Sequence, residues 1–217
     1  MHYVFVDESI RAKRFRLAAI IVSQAKYTNR FSGVSLQSKK DQLKIIDEFI
    51  ENVNGIGLIC EANLEDQELF KDGQDSYSDV KRVTRFDNIW SAALVRAVQV
   101  AVIRLERIRG DAVSAVDVYH DPKSLTSDHR EAVYGYVTGP AQSIFKDLSE
   151  RYGTAKLNEA KIRKIRSVEK AGSGEKPNKF QRGIELVDTL LKQKRLEGSR
   201  SIEVIDITKH LSETLNV

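Results

Sequence analysis

The chain has 217 residues, of which 41% are hydrophobic and 30% charged, and its formal net charge is +4. This is ordinary globular composition, and the length suits one domain with a sizeable core. No segment has the roughly 20 apolar residues of a membrane-spanning helix. The N-terminus lacks the pattern of a secretion signal, so we expect a cytoplasmic protein. The lone Cys60 excludes an internal disulfide and a cysteine-rich zinc site.

Strands and helices are predicted to alternate along the chain. Runs rich in β-branched and aromatic residues predict strands at residues 3–7, 15–23, 56–62, 113–120 and 202–207, with one more within 156–168. The first two strands are predicted to pair as a hairpin. Both are apolar on both faces near their centres, which is typical of a sheet covered by helices on its two sides.

Helices are predicted from apolar residues that recur at helical spacing. They fall at residues 38–53, at 88–108, after Pro122 with Asp128 and Glu131 spaced like a capping box, and after Asn178 with Gln181 as its capping partner. The helix at 88–108 is so apolar that it should pass through the core or pack against a partner chain, which would make a homo-oligomer. Residues 63–87 are polar and resemble a loop or an irregular insertion.

Three aspartates fall at positions where an acidic side chain is unusual. Asp7 closes the first strand, on the same face as two aromatic residues, because alternate residues of a strand share a face. Asp121 follows the strand at 113–120, in phase with Asp117, which is its alternative as a site residue. Asp188 lies at the edge of the apolar stripe of the last predicted helix.

A carboxylate near a core costs several kcal/mol unless it is paired or binds a cation. Mg²⁺ and Mn²⁺ prefer carboxylate oxygens and water, and a pair of such ions can drive phosphodiester hydrolysis. Each aspartate also has a structural explanation. Asp7 could cap a turn, Asp121 could begin the turn at Pro122, and Asp188 could pair with Lys192 four residues on.

Other residues offer weaker signals. His120 could orient a water or contact a phosphate, although a histidine at the end of a strand is more often structural. Glu169 is a candidate fourth carboxylate, although a solvated side chain is the commoner case. Basic runs at residues 11–16, 161–166 and 192–195 are either solvated surface or contacts for an acidic partner. The chain lacks the spacing of a nucleotide-binding P-loop, which argues against ATP binding.

The opening strand, which runs into Asp7-Glu8-Ser9, resembles a bacterial and phage family known mainly as domain of unknown function number thirty-eight hundred. Members of that family open with an apolar strand and Asp-Glu-Ser-Gly, although Ile10 stands here in place of the glycine. They continue to a strand that ends in Asp, and carry a late helix similar to Gln-Leu-Ala-Asp. The counterparts here are the strand that ends at Asp121 and the segment from Gly183 to Asp188.

The resemblance implies a single α/β domain over residues 1–217, RNase H-like, with a mixed sheet and helices on both faces. It further implies that Asp7, Asp121 and Asp188 are catalytic metal ligands, with Glu8 as an additional ligand. We therefore expect a nuclease, or a related phosphoryl-transfer enzyme, that depends on Mg²⁺ or Mn²⁺ and acts on nucleic acid. The alternative is a non-catalytic module on the same fold that binds nucleic acid or a protein, such as a phage or defence-system accessory protein.

Overall fold

The computed structural model describes residues 1–11, 14–36, 41–63, 85–110, 113–122, 127–138, 161–172, 174–193, 196 and 198–208. Its strands are β1 (His2–Arg11), β2 (Arg14–Ser23), β3 (Ile56–Asn63), β4 (Ala115–His120), β5 (Lys161–Ser167) and β6 (Ile202–Asp206). Its described α-helices are α1 (Gln24–Arg30), α2 (Gln42–Asn52), α3 (Arg85–Arg109), α4 (Ser127–Thr138) and α5 (Lys179–Leu191). Most of the predicted insertion at 63–87 lies outside the described residues.

All six of these strands belong to one mixed sheet, in the order β5-β4-β1-β2-β3-β6. β2 is antiparallel to its neighbours β1 and β3, whereas β1, β4 and β5 run parallel to one another, and β6 runs parallel to β3. The predicted hairpin of the first two strands is confirmed. The fold is α/β, and the mixed sheet with its helices is consistent with the predicted RNase H-like architecture.

Helices cover both faces of the sheet, and strand alternation decides which residues face which layer. Val4 and Val6 of β1 join the cluster that packs against α3 and α4, and we call this side the α3 face. Tyr3 and Phe5 of the same strand join the cluster that packs against α1, α2 and α5, and we call this side the α5 face. The prediction of a sheet buried on both sides is therefore confirmed.

Helix α3 passes through the core of the chain. Most of its described residues are almost fully buried, among them Trp90, Leu94, Val98, Gln99 and Val102, whereas Arg96, Val100, Ile103 and Arg104 form a half-buried stripe. Burial within one chain accounts for its apolar sequence, so the helix does not by itself require a partner. The homo-oligomer stays a prediction. Within the described residues, no helix combines the length and apolar character that crossing a membrane requires.

Helix α5 begins as its sequence predicts. The side chain of Asn178 accepts hydrogen bonds from the backbone N–H groups of Phe180 and Gln181, and the Gln181 side chain accepts from the Asn178 N–H. This reciprocal capping box fixes where the helix starts and which face it turns to the sheet. Ile184 and Val187 are fully buried on that face, so Asp188 emerges at its edge.

Some predicted boundaries were wrong. β1 and β2 continue as a hairpin as far as Arg11 and Arg14, well past the predicted end at Asp7. Pairing with β2 explains the extension, because it continues beyond the apolar part of the strand. Helix α4 begins at Ser127, so Asp128 lies inside the helix and cannot be its N-cap.

Candidate functional site

The sheet places Asp7 and Asp121 side by side. β1 and β4 are parallel neighbours whose pairing ends at Val6 and His120, so these aspartates are the next residues along. Each is in phase with aromatic residues of the α5 face, Asp7 with Phe5 and Asp121 with Tyr119. Only 8% of Asp7 and 6% of Asp121 is exposed to solvent. Two acidic residues are therefore buried together at the point where the pairing of β1 with β4 ends.

Helix α5 brings the third aspartate to the same place, and a lysine joins them. Lys170 lies in the loop between β5 and α5, and its Nζ is 3.2 Å from Asp121 Oδ2 and 3.5 Å from Asp188 Oδ1. Those carboxylate oxygens can be no farther apart than the sum of these distances. Asp7 interacts electrostatically with both Lys170 and Asp188. We call Asp7, Asp121 and Asp188 the acid centre.

Electrostatics within the acid centre differ from those of exposed aspartates. Burial, followed by the negative charge of Glu8, raises the pKa of Asp7 to about 7. Asp188 also raises it, whereas Lys170 and the Glu8 N–H, which donates to Asp7 Oδ1 over 3.0 Å, act to lower it. Asp7 is therefore short of positive charge when it is ionised.

The pKa of Lys170 responds to the same groups. Burial alone would lower it, but the charges of Asp188, Asp121 and Asp7, with a hydrogen bond to Asp121, outweigh burial and raise it. The ammonium therefore stays charged at neutral pH.

Asp188 also takes part in its predicted structural pair. Lys192 Nζ lies 2.6 Å from Asp188 Oδ2, at the i,i+4 spacing. The two oxygens of Asp188 thus contact two different lysines. Pairing with Lys192 does not exclude Asp188 from the acid centre, because it leaves Oδ1 of Asp188 directed at Lys170.

Glu8 is not brought to the acid centre. It alternates with Asp7 along β1, so its side chain lies on the α3 face, where its Oε2 accepts a hydrogen bond from Trp90 Nε1 over 3.2 Å. Its charge still acts on Asp7 through space. A role as a direct ligand would require Glu8 to leave Trp90 and reach the other side of the sheet.

His120 is fully buried on the α3 face, between the rings of Trp90 and Tyr134. Its Nδ1 lies 2.7 Å from the carbonyl oxygen of Asp121, which can only accept, so Nδ1 carries the proton and donates. Nε2 then accepts from the Tyr134 hydroxyl. Burial lowers the pKa of His120 to about 4, so the ring is neutral at physiological pH. The geometry favours a structural role, which orients the Asp121 backbone.

Asp117, the alternative to Asp121, is occupied elsewhere on the α5 face. A register shift in β5 places both Arg163 and Lys164 opposite it. Arg163 donates two hydrogen bonds to its carboxylate, over 2.9 and 2.8 Å, and Lys164 Nζ lies 3.1 Å away. Burial would raise the pKa of Asp117, but these two cations outweigh it and lower the pKa. Asp121 is therefore the residue beside Asp7.

Whether the acid centre fits a divalent cation depends on its donors and on Lys170. Among the residues that the structure describes, no three His, Cys, Asp or Glu side chains are grouped closely enough to hold a metal ion as they stand. The Lys170 ammonium lies between two of the three carboxylates. The donors themselves are all carboxylate oxygens, which hard divalent cations prefer. The residues fit such a cation in chemistry, provided that the ion replaces the ammonium.

Sequence reasoning missed Lys170. It follows a strand and precedes a Gly-rich loop, and nothing in its neighbourhood in the sequence distinguishes it from other surface lysines. Glu169 beside it is exposed to solvent.

No protein-family model matches the chain, and a search of curated proteins found no significant match. The resemblance described from the opening strand and the late helix therefore stays a prediction.

Proposed function

We propose that this protein is a nuclease, or a related phosphoryl-transfer enzyme, that depends on Mg²⁺ or Mn²⁺ and acts on nucleic acid. The observation that carries the proposal is the acid centre. Asp121 and Asp188, from a strand and a helix that are far apart in sequence, contact one cationic group, and buried Asp7 lies beside them. When bound, the metal would activate a water and stabilise the leaving oxygen of a phosphodiester.

The protein's own residues would bind the cation and hold it in a fixed position. Asp7, Asp121 and Asp188 would hold the cation. β1 and β4 give Asp7 and Asp121 fixed backbones, and the capped helix α5 does the same for Asp188. Such support from rigid elements is what a precise site requires.

Basic side chains of β5 lead towards the acid centre and would hold the phosphate backbone. Ile162 and Ile165 pack into the core on the α3 face. Lys164 and Arg166 lie opposite Asp117 and Tyr119 of β4, and therefore on the α5 face with the acid centre. Lys164 also pairs with Asp117 at 3.1 Å, so Arg166 is the stronger candidate for a phosphate contact. Arg166 is exposed to solvent. Contacts of this kind supply affinity that weakens as salt rises.

The other basic runs support the proposal less. In the run at 11–16, Arg16 is bound to Glu61 over 2.8 Å and donates to the backbone of Leu191 over 3.1 Å, so its charge is used within the fold. In the run at 192–195, Lys192 pairs with Asp188. Residues 194 and 195 lie outside the described residues.

A second candidate function is a nucleic-acid-binding module without catalysis. The observation in its favour is Lys170 itself, because an ammonium group that pairs with Asp121 and Asp188 gives these carboxylates a structural use. The basic face of β5 would serve binding equally well in this case.

A cleavage assay tests the proposal. Labelled single- and double-stranded DNA and RNA are incubated with Mg²⁺, Mn²⁺ or EDTA. We expect cleavage of at least one substrate with Mg²⁺ or Mn²⁺, none with EDTA, and a loss of at least about 100-fold in Asp188→Asn, because even outer-shell partners of a metal are worth 10- to 100-fold.

Glu48→Gln is the matched control, since Glu48 is an exposed acid of α2 whose side chain pairs only loosely with Lys44, at 3.8 Å. It should cleave like the wild type. Equal cleavage by a folded Asp188→Asn protein would contradict the proposed site. Salt-sensitive binding of the same substrates without any cleavage would favour the second candidate.

A further inference from the structure

Lys170 lies where a positive charge offsets the negative charges of the acid centre. Its ammonium touches one oxygen of Asp121 and one of Asp188, and its charge reaches Asp7. Lys170 therefore links the end of β4 to helix α5.

The carboxylates need this positive charge. Two of the three are almost fully buried, and like charges held close together in a low-dielectric environment repel one another strongly. Lys192 offsets the charge of Asp188 through the other oxygen of that carboxylate, Oδ2. Without Lys170, Asp121 would lose this ion pair and the repulsion within the acid centre would rise.

We propose that Lys170 is the internal counter-ion of the acid centre, and that it competes with the divalent cation for the oxygens of Asp121 and Asp188. Lys170 is thereby a positioning residue that sets the cation affinity of the site. This inference rests on the proposed function insofar as a divalent cation binds there.

The competition is physically feasible because Lys170 can leave. Its side chain is 43% exposed, so the ammonium can turn into water without crossing the core. Breaking an ion pair that is partly open to solvent costs only a modest free energy, and a doubly charged ion bound to the same oxygens can supply it. If the site binds the ion only after the Lys170 ammonium has turned away, its apparent affinity is lower than that of a site without the lysine. The reduction equals the fraction of the protein in which the ammonium has turned away.

Titration of Mn²⁺ into the metal-free protein, followed by calorimetry at one pH and one ionic strength, tests the inference. Lys170→Met keeps the length of the side chain and removes its charge. If the lysine-free state is populated about 10% of the time or less, Lys170→Met should bind Mn²⁺ at least about tenfold more tightly than the wild type. In EDTA the same variant should unfold at a lower temperature, since its carboxylates have lost their counter-ion.

Two further variants make the test specific. Lys170→Arg keeps the charge and should stay within about threefold of the wild-type affinity. Lys192→Met removes a cation that pairs with Asp188, and not with Asp7 or Asp121 among the described residues, and should change the affinity far less than Lys170→Met. Circular dichroism establishes that each variant is folded, and Lys170→Gln replaces Lys170→Met if the latter is not.

Binding of Mn²⁺ by folded Lys170→Met that is equal to or weaker than that of the wild type would overturn the inference, as would an absence of Mn²⁺ binding in both proteins. The cleavage assay is a separate readout. Tighter Mn²⁺ binding by Lys170→Met together with no cleavage of any substrate would support the role of Lys170 and count against the nuclease.

Discussion

Asp7→Asn should make the metal-free protein more stable at pH 8 and lower the proposed cation-dependent cleavage at least about 100-fold. The wild-type carboxyl, with a pKa raised to about 7, is ionised at pH 8 in surroundings that resist its charge. Asparagine has nearly the same shape and no charge, and its side-chain oxygen can still accept the hydrogen bond from the Glu8 N–H. Relief of the buried charge should raise the free energy of unfolding by on the order of 2 kcal/mol, or roughly 4 to 8 °C in melting temperature.

The pH dependence follows from the direction of the shift. Below about pH 4 the Asp7 carboxyl is protonated in the folded and the unfolded protein, so it does not affect stability. As the pH rises from about 4 to about 7, the unfolded chain releases this proton and the folded protein retains it, so the stability of the wild type falls. Above pH 7 the full penalty remains.

Thermal unfolding of the two proteins in EDTA, at pH 5 and pH 8, checks this expectation. The advantage of Asp7→Asn should be large at pH 8 and smaller at pH 5. A stability difference between the two proteins that does not change with pH, or a variant that is less stable than the wild type at pH 8, would contradict this account. Asp7 would then not be a buried acid whose charge is only partly offset. Cleavage by the same variant should fall at least about 100-fold, because one of three proposed ligands is lost.

Gly183→Ala should destabilise the protein, although alanine is the better helix former. Replacing glycine by alanine inside a helix normally gains about 1 kcal/mol. At Gly183, however, a Cβ atom would lie far inside van der Waals contact with the Phe5 ring. Phe5 is fully buried and packs on the rings of Tyr27 and Tyr119, at centroid distances of 5.1 and 5.7 Å, so it cannot move aside cheaply.

Overpacking of this kind costs about 1 to 3 kcal/mol or more, and here we expect it to exceed the helical gain. The free energy of unfolding should fall by about 2 kcal/mol, measured by urea denaturation. Gly135→Ala is the matched control, because Gly135 also lies in a helix but nothing surrounds its Cβ position within 4 Å. That variant should be as stable as the wild type or slightly more so. Equal stability of both variants would contradict the close packing of α5 on β1.

Much of the fold could be predicted because its signals are local. Residues 15–23 and 56–62 are short apolar runs, and the structure has β2 and β3 there with boundaries shifted by about one residue. The capping box at Asn178 and Gln181 also needs only neighbouring residues, and it was predicted correctly. The end of β1 was missed because Glu8, Ser9 and Arg11 are polar and Ile10 is exposed, so that this segment joins the strand only through pairing with β2.

The acid centre was predictable only in part. Alternation along β1 and β4 placed Asp7 and Asp121 on a face with aromatic residues, and the structure shows that this is one face of one sheet. The sequence could not distinguish Asp117 from Asp121, since both are in phase. That choice depends on the register shift that directs Arg163 and Lys164 to Asp117.

Two features of the acid centre depend on tertiary contacts alone. Lys170 reaches Asp121 and Asp188 across 49 and 18 positions of sequence, and no local pattern marks such a pair. The partner of Glu8 is Trp90, which lies on a helix that packs on the opposite side of the sheet from Asp7. The resemblance groups Glu8 with the metal ligands because it is adjacent in sequence, whereas strand geometry separates their side chains.

The most direct test of the acid centre is a crystal structure of the protein soaked in Mn²⁺, with anomalous diffraction used to locate the ion. We predict an anomalous peak bounded by carboxylate oxygens of Asp7, Asp121 and Asp188, with the Lys170 ammonium turned away from Asp121. A peak elsewhere, or no peak with Lys170 still bound to Asp121 and Asp188, would contradict a cation site at the acid centre.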